Sequence, residues 1–223
     1  MKESFAELYF KPYGNDPKRS FSYREQIKWL SNFLNLDQAV VLDYGCGLGE
    51  MLKLFRDVGS ITFGCDVSDY AVEKCNEQGL NVRVLSDNKI PYDEKFDLIV
   101  MRGVFQHLWS PNDVIRDIYS HLKPGGFVAI LSTPNAESLC YLLFSQVPAM
   151  TKEINKNLPS KTSISHCLKL NDFHIIRCRY PYLRSGYANP IKDYYRFLLR
   201  LLKITKSVPT FPGNMIDVVG QKC

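Results

Sequence analysis

Short apolar runs alternate along the chain with segments whose apolar positions recur every three or four residues. The runs with β-type composition lie at 39–43, 61–66, 81–85, 96–101, 127–131, 173–180 and 215–222. The segments with a helical period lie between the early runs, near 48–57, 69–78 and 111–122. Strands that are apolar on both faces are typical of a parallel sheet covered by helices on both sides. The pattern therefore predicts a doubly wound α/β fold.

Two pairs of residues predict where helices begin. In the sequence SYRE, Ser22 and Glu25 form a capping box, which predicts that a helix opens at Ser22. The apolar face of that helix would include Ile27, Leu30, Phe33 and Leu34. Ser110 and Pro111 suit the N-cap and first position of the helix near 111–122.

The composition limits the class of protein. With 223 residues and 45% hydrophobic content the chain can bury one good core, so we expect a single domain over 1–223 with an N-terminal helical segment over 1–36. Seven cysteines without a CxxC pair favour reduced thiols in the cytoplasm over a disulfide framework or a zinc site. We find no signal-peptide core and no run of roughly 20 apolar residues to span a bilayer. The net charge of +5 permits an anionic partner without identifying one.

The stretch VVLDYGCGLGEML carries glycines at alternate positions, Gly45, Gly47 and Gly49, directly after the first predicted strand. Small residues let a ligand approach the main chain there, and the N-terminus of the next helix offers free N–H groups and a positive dipole end. The third-glycine spacing of the dinucleotide fingerprint is absent, because Glu50 follows Gly49. Close packing of the strand against the helix is the alternative explanation for the glycines.

Asp66 ends the second predicted strand, 23 positions after Asp43. A carboxylate at this point can accept hydrogen bonds from both hydroxyls of a ribose. The alternative is that Asp66 caps the next helix, since Asp66 and Ser68 both suit a cap. A cap would explain Asp66 alone, but not its occurrence together with the glycines.

Four motifs in order give these residues a common explanation. They read LDYGCGLG, GCDVSDYAVEKC, LSDNKIPYDEKFDLIVMRGVFQHL and LKPGGFVAIL, and they cover about residues 39 to 133. Their order and spacing resemble those of the class I S-adenosylmethionine-dependent methyltransferase family. The resemblance implies a Rossmann-like, seven-stranded, mostly parallel sheet whose last strand is antiparallel. It also implies S-adenosyl-L-methionine as the cofactor and S-adenosyl-L-homocysteine as the product.

The resemblance further implies a set of cofactor-binding residues. Those that would hold the methionine part are Asp43, Gly45, Gly47 and Gly49. Asp66 would bind the ribose, Asp87 and Asn88 would lie beside the adenine, and Arg102 would lie near the methyl group. Cys46 and Val67, in the same motifs, complete the predicted set, which contains no metal ligand.

His107, just beyond the fourth predicted strand, is the predicted catalytic residue. Methyl transfer from a sulfonium is an in-line displacement, so positioning of the acceptor supplies most of the catalysis. A hydroxyl acceptor must also lose a proton, which a neutral His can accept near pH 7. The alternative is a structural His at a helix start, hydrogen-bonded to the main chain. Gln106 stands where many members of the family have Glu, so the hydrogen bonding beside His107 differs from theirs.

The acceptor is predicted to be a small molecule. Family members that methylate exocyclic amines of bases carry an Asn/Asp/Ser-Pro-Pro-aromatic loop, which MRGVFQHLWSP lacks. The 28 basic residues are interspersed with 23 acidic ones, without a long basic arm, so we predict no DNA partner and leave an RNA ribose hydroxyl open. The later sequence, notably YPYLRSGYANPIKDYYRFLLRLL and FPGNMIDVVGQK, resembles members from bacterial surface-polysaccharide or natural-product pathways.

We therefore expect an O-methyltransferase that acts on a hydroxyl of a sugar, a nucleotide sugar or a related metabolite. One alternative is a non-catalytic partner subunit that keeps the fold, which the intact Gly45, Gly47, Gly49 and Asp66 disfavour. The other is a nicotinamide-dependent oxidoreductase, which Glu50 in place of the third glycine disfavours.

The connection between the last two predicted strands, 181–213, is expected to cover the active site if the family topology holds. Within it, Tyr182, Arg184 and Tyr187 are the predicted acceptor-binding residues. Tyrosine offers an apolar ring with a hydroxyl tip, and Arg a planar fork for phosphate or carboxylate, which suits a phosphorylated or nucleotide-linked acceptor. The alternative is that the aromatic rings only pack the loop onto the core.

Residues 190–206 have the pattern of an amphipathic helix that opens at Pro190. One stripe is basic and contains Lys192, Arg196, Arg200, Lys203 and Lys206. The other side is apolar and contains Ile191, Tyr194, Tyr195, Leu198, Leu199 and Leu202. The basic stripe would be a solvated face, would attract an anionic acceptor, or would make a weak peripheral contact with an anionic membrane that holds a lipid-linked acceptor. The pattern does not predict an oligomeric state.

Overall fold

The structure is a computed structural model that describes residues 16–148 and 155–223. Seven strands form one sheet in the order β3-β2-β1-β4-β5-β7-β6. They are β1 (Val40–Tyr44), β2 (Ile61–Asp66), β3 (Val82–Val84), β4 (Phe96–Arg102), β5 (Leu122–Pro134), β6 (Phe173–Arg179) and β7 (Met215–Lys222). β7 pairs antiparallel with β5 and β6, and the other neighbours are parallel. The predicted doubly wound, Rossmann-like sheet with an antiparallel last strand is confirmed.

Seven α-helices and one 3₁₀ turn join the strands in the described part. The helices are α1 (Pro17–Leu30), α2 (Glu50–Asp57), α3 (Asp69–Glu77), α4 (Pro111–His121), α5 (Leu139–Phe144), α6 (Lys161–Leu170) and α7 (Pro190–Leu201). The 3₁₀ turn is Phe105–His107. None of the described helices combines the length and the apolar character that a membrane crossing needs. Helices α2, α3 and α4 lie where the sequence predicted them, and α4 begins at Ser110 and Pro111 as expected.

The predicted start of the first helix is wrong. α1 begins at Pro17, and the Asp16 side chain caps it by accepting a hydrogen bond from the Lys18 N–H at 3.0 Å. An Asp N-cap followed by Pro at the first helical position favours a helix start here, so SYRE lies inside a helix that began five residues earlier. Ser22 is therefore a buried mid-helix residue and not an N-cap. Of the predicted segment 1–36, residues 1–15 lie outside the described part.

The sheet has a core on each face. Leu42 and Tyr44 of β1 face one core, and Val41 faces the other, which α1 and α2 cover. This alternation places helices on both sides of the sheet, as predicted. Because β1 to β4 are parallel, the loops that follow them emerge at the same edge of the sheet. These loops carry the residues for which the sequence predicted a cofactor.

Candidate active site

In the glycine loop after β1, residues 45–49, the backbone conformation and close neighbours exclude side chains at two of the glycines. Gly45 and Gly49 have φ angles of +77° and +75°. A Cβ on Gly45 would lie 2.4 Å from Val104 Cγ2, and one on Gly49 would lie 2.4 Å from Leu80 Cδ1. Close packing therefore explains part of the glycine pattern. The loop is also held against β2, because the Gly45 N–H donates to the Cys65 carbonyl at 2.7 Å.

Asp66 links this loop to the end of β2. Its Oδ2 accepts a hydrogen bond from the Gly47 N–H at 2.8 Å, and its Oδ1 accepts one from the Ser68 N–H at 3.0 Å. Ser68 is the N-cap of α3, since its hydroxyl accepts from the Ala71 N–H at 3.3 Å. The alternative role of Asp66 as the helix cap is therefore wrong. Burial raises the pKa of the Asp66 carboxyl, and the backbone N–H groups of Ser68 and Gly47 oppose that shift.

Asp43 and Val67 flank the same loop. Asp43 is buried, and desolvation together with the nearby Asp66 charge raises its pKa to about 7, against the opposing charge of Arg102. Val67 follows Asp66 directly and is 70% exposed, so its side chain is open to a flat apolar ligand group. Cys46 is buried, and its N–H also donates to the Cys65 carbonyl, at 3.1 Å.

Asp87 and Asn88 form a turn beyond β3. Both are exposed and left-handed, with φ angles of +51° and +57°. The Tyr44 hydroxyl, at the end of β1, donates to the Asn88 carbonyl at 3.1 Å. This hydrogen bond ties the turn to Tyr44, the last residue of β1, which precedes the glycine loop.

Arg102, at the end of β4, lies against α1. Its Nε donates to Gln26 Oε1 at 2.8 Å, and its guanidinium lies 4.0 Å from the centroid of the Tyr23 ring. Arg19, also on α1, lies 3.5 Å from Glu50 at the start of α2. This contribution of α1 to the site was not predicted from the sequence. The signal was present in Ser22 and Gln26, polar residues four positions apart on the helix face that also carries Ile27 and Leu30.

His107 is half-buried in the 3₁₀ turn after β4. Gln106, which is buried, places its Nε2 2.8 Å from the Gly103 carbonyl and 3.1 Å from His107 Nε2. The Gly103 carbonyl accepts only, so this end of the amide is the NH₂ group, and its second N–H points to His107. In a neutral ring, His107 Nε2 is then the acceptor and Nδ1 carries the proton.

The three residues predicted to bind the acceptor all have partners within the protein. The Tyr182 hydroxyl donates to Asp193 Oδ2 at 2.9 Å. Arg184 lies 3.4 Å from Glu25 of α1, and the Tyr187 hydroxyl donates to Asp16 Oδ2 at 2.6 Å. Arg184 and Tyr187 therefore join residues 180–189 to α1, whereas Tyr182 supports α7. In the described residues, no group of three or more His, Cys, Asp and Glu side chains could hold a metal ion.

Comparison with known proteins agrees with this arrangement. A family described as a methyltransferase domain matches residues 19–177, well over half of the chain. The chain therefore belongs to this family, with the class I S-adenosylmethionine-dependent methyltransferase fold that the motifs predicted.

Two curated relatives are O-methyltransferases. A ubiquinone biosynthesis O-methyltransferase of Pseudomonas fluorescens (strain Pf0-1) is 32% identical over 145 residues, which are 61% of this chain and 61% of that protein. A tRNA (carboxymethyluridine(34)-5-O)-methyltransferase of Arabidopsis thaliana is 31% identical over 122 residues, 53% of this chain and 30% of that protein. The matches thus span 61% and 30% of these relatives' own lengths, less than two thirds in both cases.

Solved structures share the fold over almost the whole chain. A methyltransferase of Aquifex aeolicus described as SAM-dependent has a TM-score of 0.66 at 20% identity, covering 99% of this chain and 100% of that one. Magnesium protoporphyrin IX methyltransferase of Synechocystis, solved with bound SAH, has a TM-score of 0.64 at 13% identity, covering 100% and 90%. At these identities the likeness concerns the fold.

Proposed function

We propose that this single-domain protein transfers a methyl group from S-adenosyl-L-methionine to a hydroxyl of a small molecule. The observation that carries the proposal is the buried Asp66 carboxylate, which lies at the end of β2 and is hydrogen-bonded to the glycine loop. Its oxygens each retain lone pairs that can accept from ribose hydroxyls. The O-methyltransferase relatives support oxygen as the atom methylated.

The residues around Asp66 fit the remaining parts of that cofactor. Asp43 would hold the methionine amino group, the glycine loop would contact the methionine part, and Val67 would cover one face of the adenine beside Asp87. When bound, S-adenosylmethionine supplies an electrophilic methyl group. His107 would accept the proton of the acceptor hydroxyl on Nε2, after this nitrogen separates from the Gln106 amide.

We propose that the group methylated is a hydroxyl of a sugar or nucleotide sugar, and that a phosphate makes this acceptor anionic. Arg184 and Tyr187 would lie at the entrance of the acceptor site, and Arg102 would lie near the methyl group. The ion pair of Arg184 with Glu25 leaves its side chain largely exposed, so a phosphate can compete for it. We also propose a cytoplasmic location and a weak peripheral contact of residues 190–206 with an anionic membrane, which suits a lipid-linked acceptor.

Replacing Asp66 tests the cofactor site. Asp66→Ala should weaken S-adenosylhomocysteine binding by about 1–3 kcal/mol, because the ribose hydroxyls lose their charged acceptor. Isothermal titration calorimetry measures this, with NAD as a ligand that should not bind. Asp69→Ala, which removes an exposed carboxylate three residues away, is the matched control and should keep wild-type affinity.

A deoxy analogue separates ribose binding from support of the loop. The 2′-deoxy analogue of S-adenosylhomocysteine should bind the wild type more weakly than the parent compound. Asp66→Ala should bind both compounds equally, because the contact in question is already lost. If the mutation and the missing hydroxyl weaken binding independently, Asp66 only supports Gly47.

Turnover identifies the acceptor class. The wild type with S-adenosylmethionine is offered neutral sugars, sugar phosphates, nucleotide sugars and RNA, and the products are analysed by mass spectrometry. We expect one added methyl group on a phosphorylated or nucleotide-linked sugar. Methylation of RNA alone would overturn the sugar proposal, and cofactor binding without turnover on any acceptor would favour the non-catalytic partner subunit.

A further inference from the structure

The apolar side of α7 faces outward. The apolar side of an amphipathic helix ordinarily packs on the core, but the buried residues of α7 are Asp193 and Phe197. Ile191 is 87% exposed, Tyr195 61% and Leu202, just after the helix, 67%. Tyr194 and Leu198 are exposed beside them, and steps of three and four residues place all five on one side. We call these five residues the α7 stripe.

Specific contacts hold α7 in this orientation. Asp193 Oδ2 accepts hydrogen bonds from the Tyr182 hydroxyl at 2.9 Å and from the Asn189 N–H at 2.8 Å. The Phe197 ring stacks on Phe211, with ring centroids 4.4 Å apart and an interplanar angle of 17°. These contacts would be lost if the helix rotated to bury the α7 stripe. The exposure of the stripe is therefore built into the fold.

Helix α5 adds apolar surface next to α7. Phe144 of α5 meets Phe197 edge to face, with centroids 5.6 Å apart. Leu142 and Leu143 of α5 are exposed. A surface cavity of about 470 Å³ lies between the two helices, and its lining includes Leu143 and Leu201.

The charge around this apolar surface is of one sign. Residues 190–206 contain five Lys and Arg residues and one acidic residue, Asp193, which is buried. Arg200, Lys203 and Lys206 line the cavity between α5 and α7. An exposed apolar stripe beside a row of cations fits a bilayer surface, where apolar side chains enter the acyl boundary and cations meet lipid phosphates. Tyrosine suits the boundary between acyl chains and headgroups, since its ring is apolar and its hydroxyl is polar.

We infer that the α7 stripe, together with the exposed face of α5, docks this protein on the surface of an anionic bilayer. This inference deepens the proposed membrane contact, since it makes the apolar stripe, and not the basic residues alone, the part that enters the lipid. It does not depend on methyl transfer, because binding to lipid is measured without an acceptor.

Vesicle flotation tests the inference. The 223-residue chain is mixed at low salt with vesicles of phosphatidylcholine alone or of phosphatidylcholine with phosphatidylglycerol. We expect flotation with the anionic vesicles only, and less of it as salt is added. The stripe variant, Ile191→Ser with Tyr195→Ser and Leu202→Ser, should lose flotation. Leu170→Ser, which alters an exposed leucine at the end of α6, is the control and should retain it.

Charge reversal tests the second component. Arg196→Glu with Lys203→Glu should weaken binding more than about 25-fold, since each cation lost near an anionic surface costs about fivefold. Lys28→Glu with Lys169→Glu makes the same change of net charge at exposed sites elsewhere and should bind like wild type. Cofactor affinity should be unchanged in all four variants, which separates this result from a failure of the proposed function.

Two results would overturn the inference. One is that the protein, with cofactor affinity intact, floats with neither kind of vesicle. The other is that light scattering shows an oligomer which the stripe variant dissociates, again without flotation, since the stripe would then bind a second copy of the chain.

Discussion

The hydrogen bond between Gln106 and His107 decides which ring nitrogen can accept a proton. Gln106 Nε2 is shared between the Gly103 carbonyl and His107 Nε2. Its other terminal atom, Oε1, is buried and has no hydrogen-bond partner in the described part of the chain. The amide is thus held by its NH₂ end, and a Glu at this position would reverse the polarity of the contact.

Gln106→Glu loses the hydrogen bond to the Gly103 carbonyl, and where its carboxylate keeps the contact with the ring it should place the proton of a neutral His107 on Nε2, because a carboxylate can only accept. Ring ¹⁵N chemical shifts report the tautomer. If His107 is the base, His107→Ala should lower kcat by about 10²–10⁴-fold with cofactor affinity near wild type. Gln106→Glu should also lower kcat, since Nε2 no longer presents a lone pair. A folded His107→Ala protein with wild-type kcat would assign His107 a structural role.

Helix α1 and residues 180–189 meet backbone to backbone. Gly186 has a φ of +73°, and a Cβ there would lie 2.3 Å from the Lys18 carbonyl oxygen. The hydrogen bond from Tyr187 to Asp16 lies beside this contact and lowers the pKa of Asp16. The connection after β6 can therefore approach α1 so closely only because residue 186 lacks a side chain.

Gly186→Ala should destabilise the protein by about 2–4 kcal/mol. Alanine disfavours the positive φ, and its Cβ would clash with the Lys18 backbone. Gly79→Ala is the matched control, because Gly79 has a φ of +68° but a Cβ there would meet nothing within 4 Å. It should cost about 1 kcal/mol, which is a shift in Tm of roughly 2–4 °C. Thermal unfolding compares the two variants, and equal Tm values would show that the contact with Lys18 adds nothing.

The sequence predicted elements well where local signals agreed with packing. Apolar runs and the glycine loop predicted the strands and α2, because a strand buried on both faces must be apolar throughout. The start of α1 was wrong because Asp16 and Pro17 give an earlier signal than SYRE. The orientation of α7 could not be predicted, since Asp193 and Phe197 are held by Tyr182 and Phe211, partners that no local pattern identifies.

At the scale of the whole molecule, a buried polar network joins α1 to the sheet. Asp217 on β7 is fully buried and accepts hydrogen bonds from the Ser132 N–H at 2.8 Å and from Arg179 Nε at 2.9 Å. Its Oδ1 also lies 3.4 Å from Gln26 Nε2 of α1, and Gln26 in turn accepts from Arg102. Arg102, in the site predicted to bind the cofactor, is thus connected through Gln26 to the carboxylate of Asp217, which is buried on folding.

Buried acids give the stability of the molecule a definite dependence on pH. The pKa of Asp43 is about 7 in the folded protein and 3.8 as its ordinary value, because burial and the Asp66 charge disfavour its ionised form. The folded state therefore holds this proton more tightly than the unfolded chain. The contribution of Asp43 is most favourable below about pH 4, falls as the pH rises, and levels off above about pH 7. Burial raises the pKa values of Asp66 and Asp217 as well, which adds slopes of the same sign.

Asp43→Asn should isolate the contribution of Asp43, since an amide keeps the shape and does not ionise. We expect the free energy of unfolding of the variant, relative to wild type, to increase by a few kcal/mol between pH 4.5 and about pH 8. Urea unfolding at several pH values measures it, with Asp69→Asn, at an exposed carboxylate, as the control that should follow wild type. A constant difference across this range would mean that Asp43 is already ionised at low pH in the folded protein. The Asp43 carboxylate would then carry no proton for the cationic amino group of the cofactor's methionine part to displace on binding.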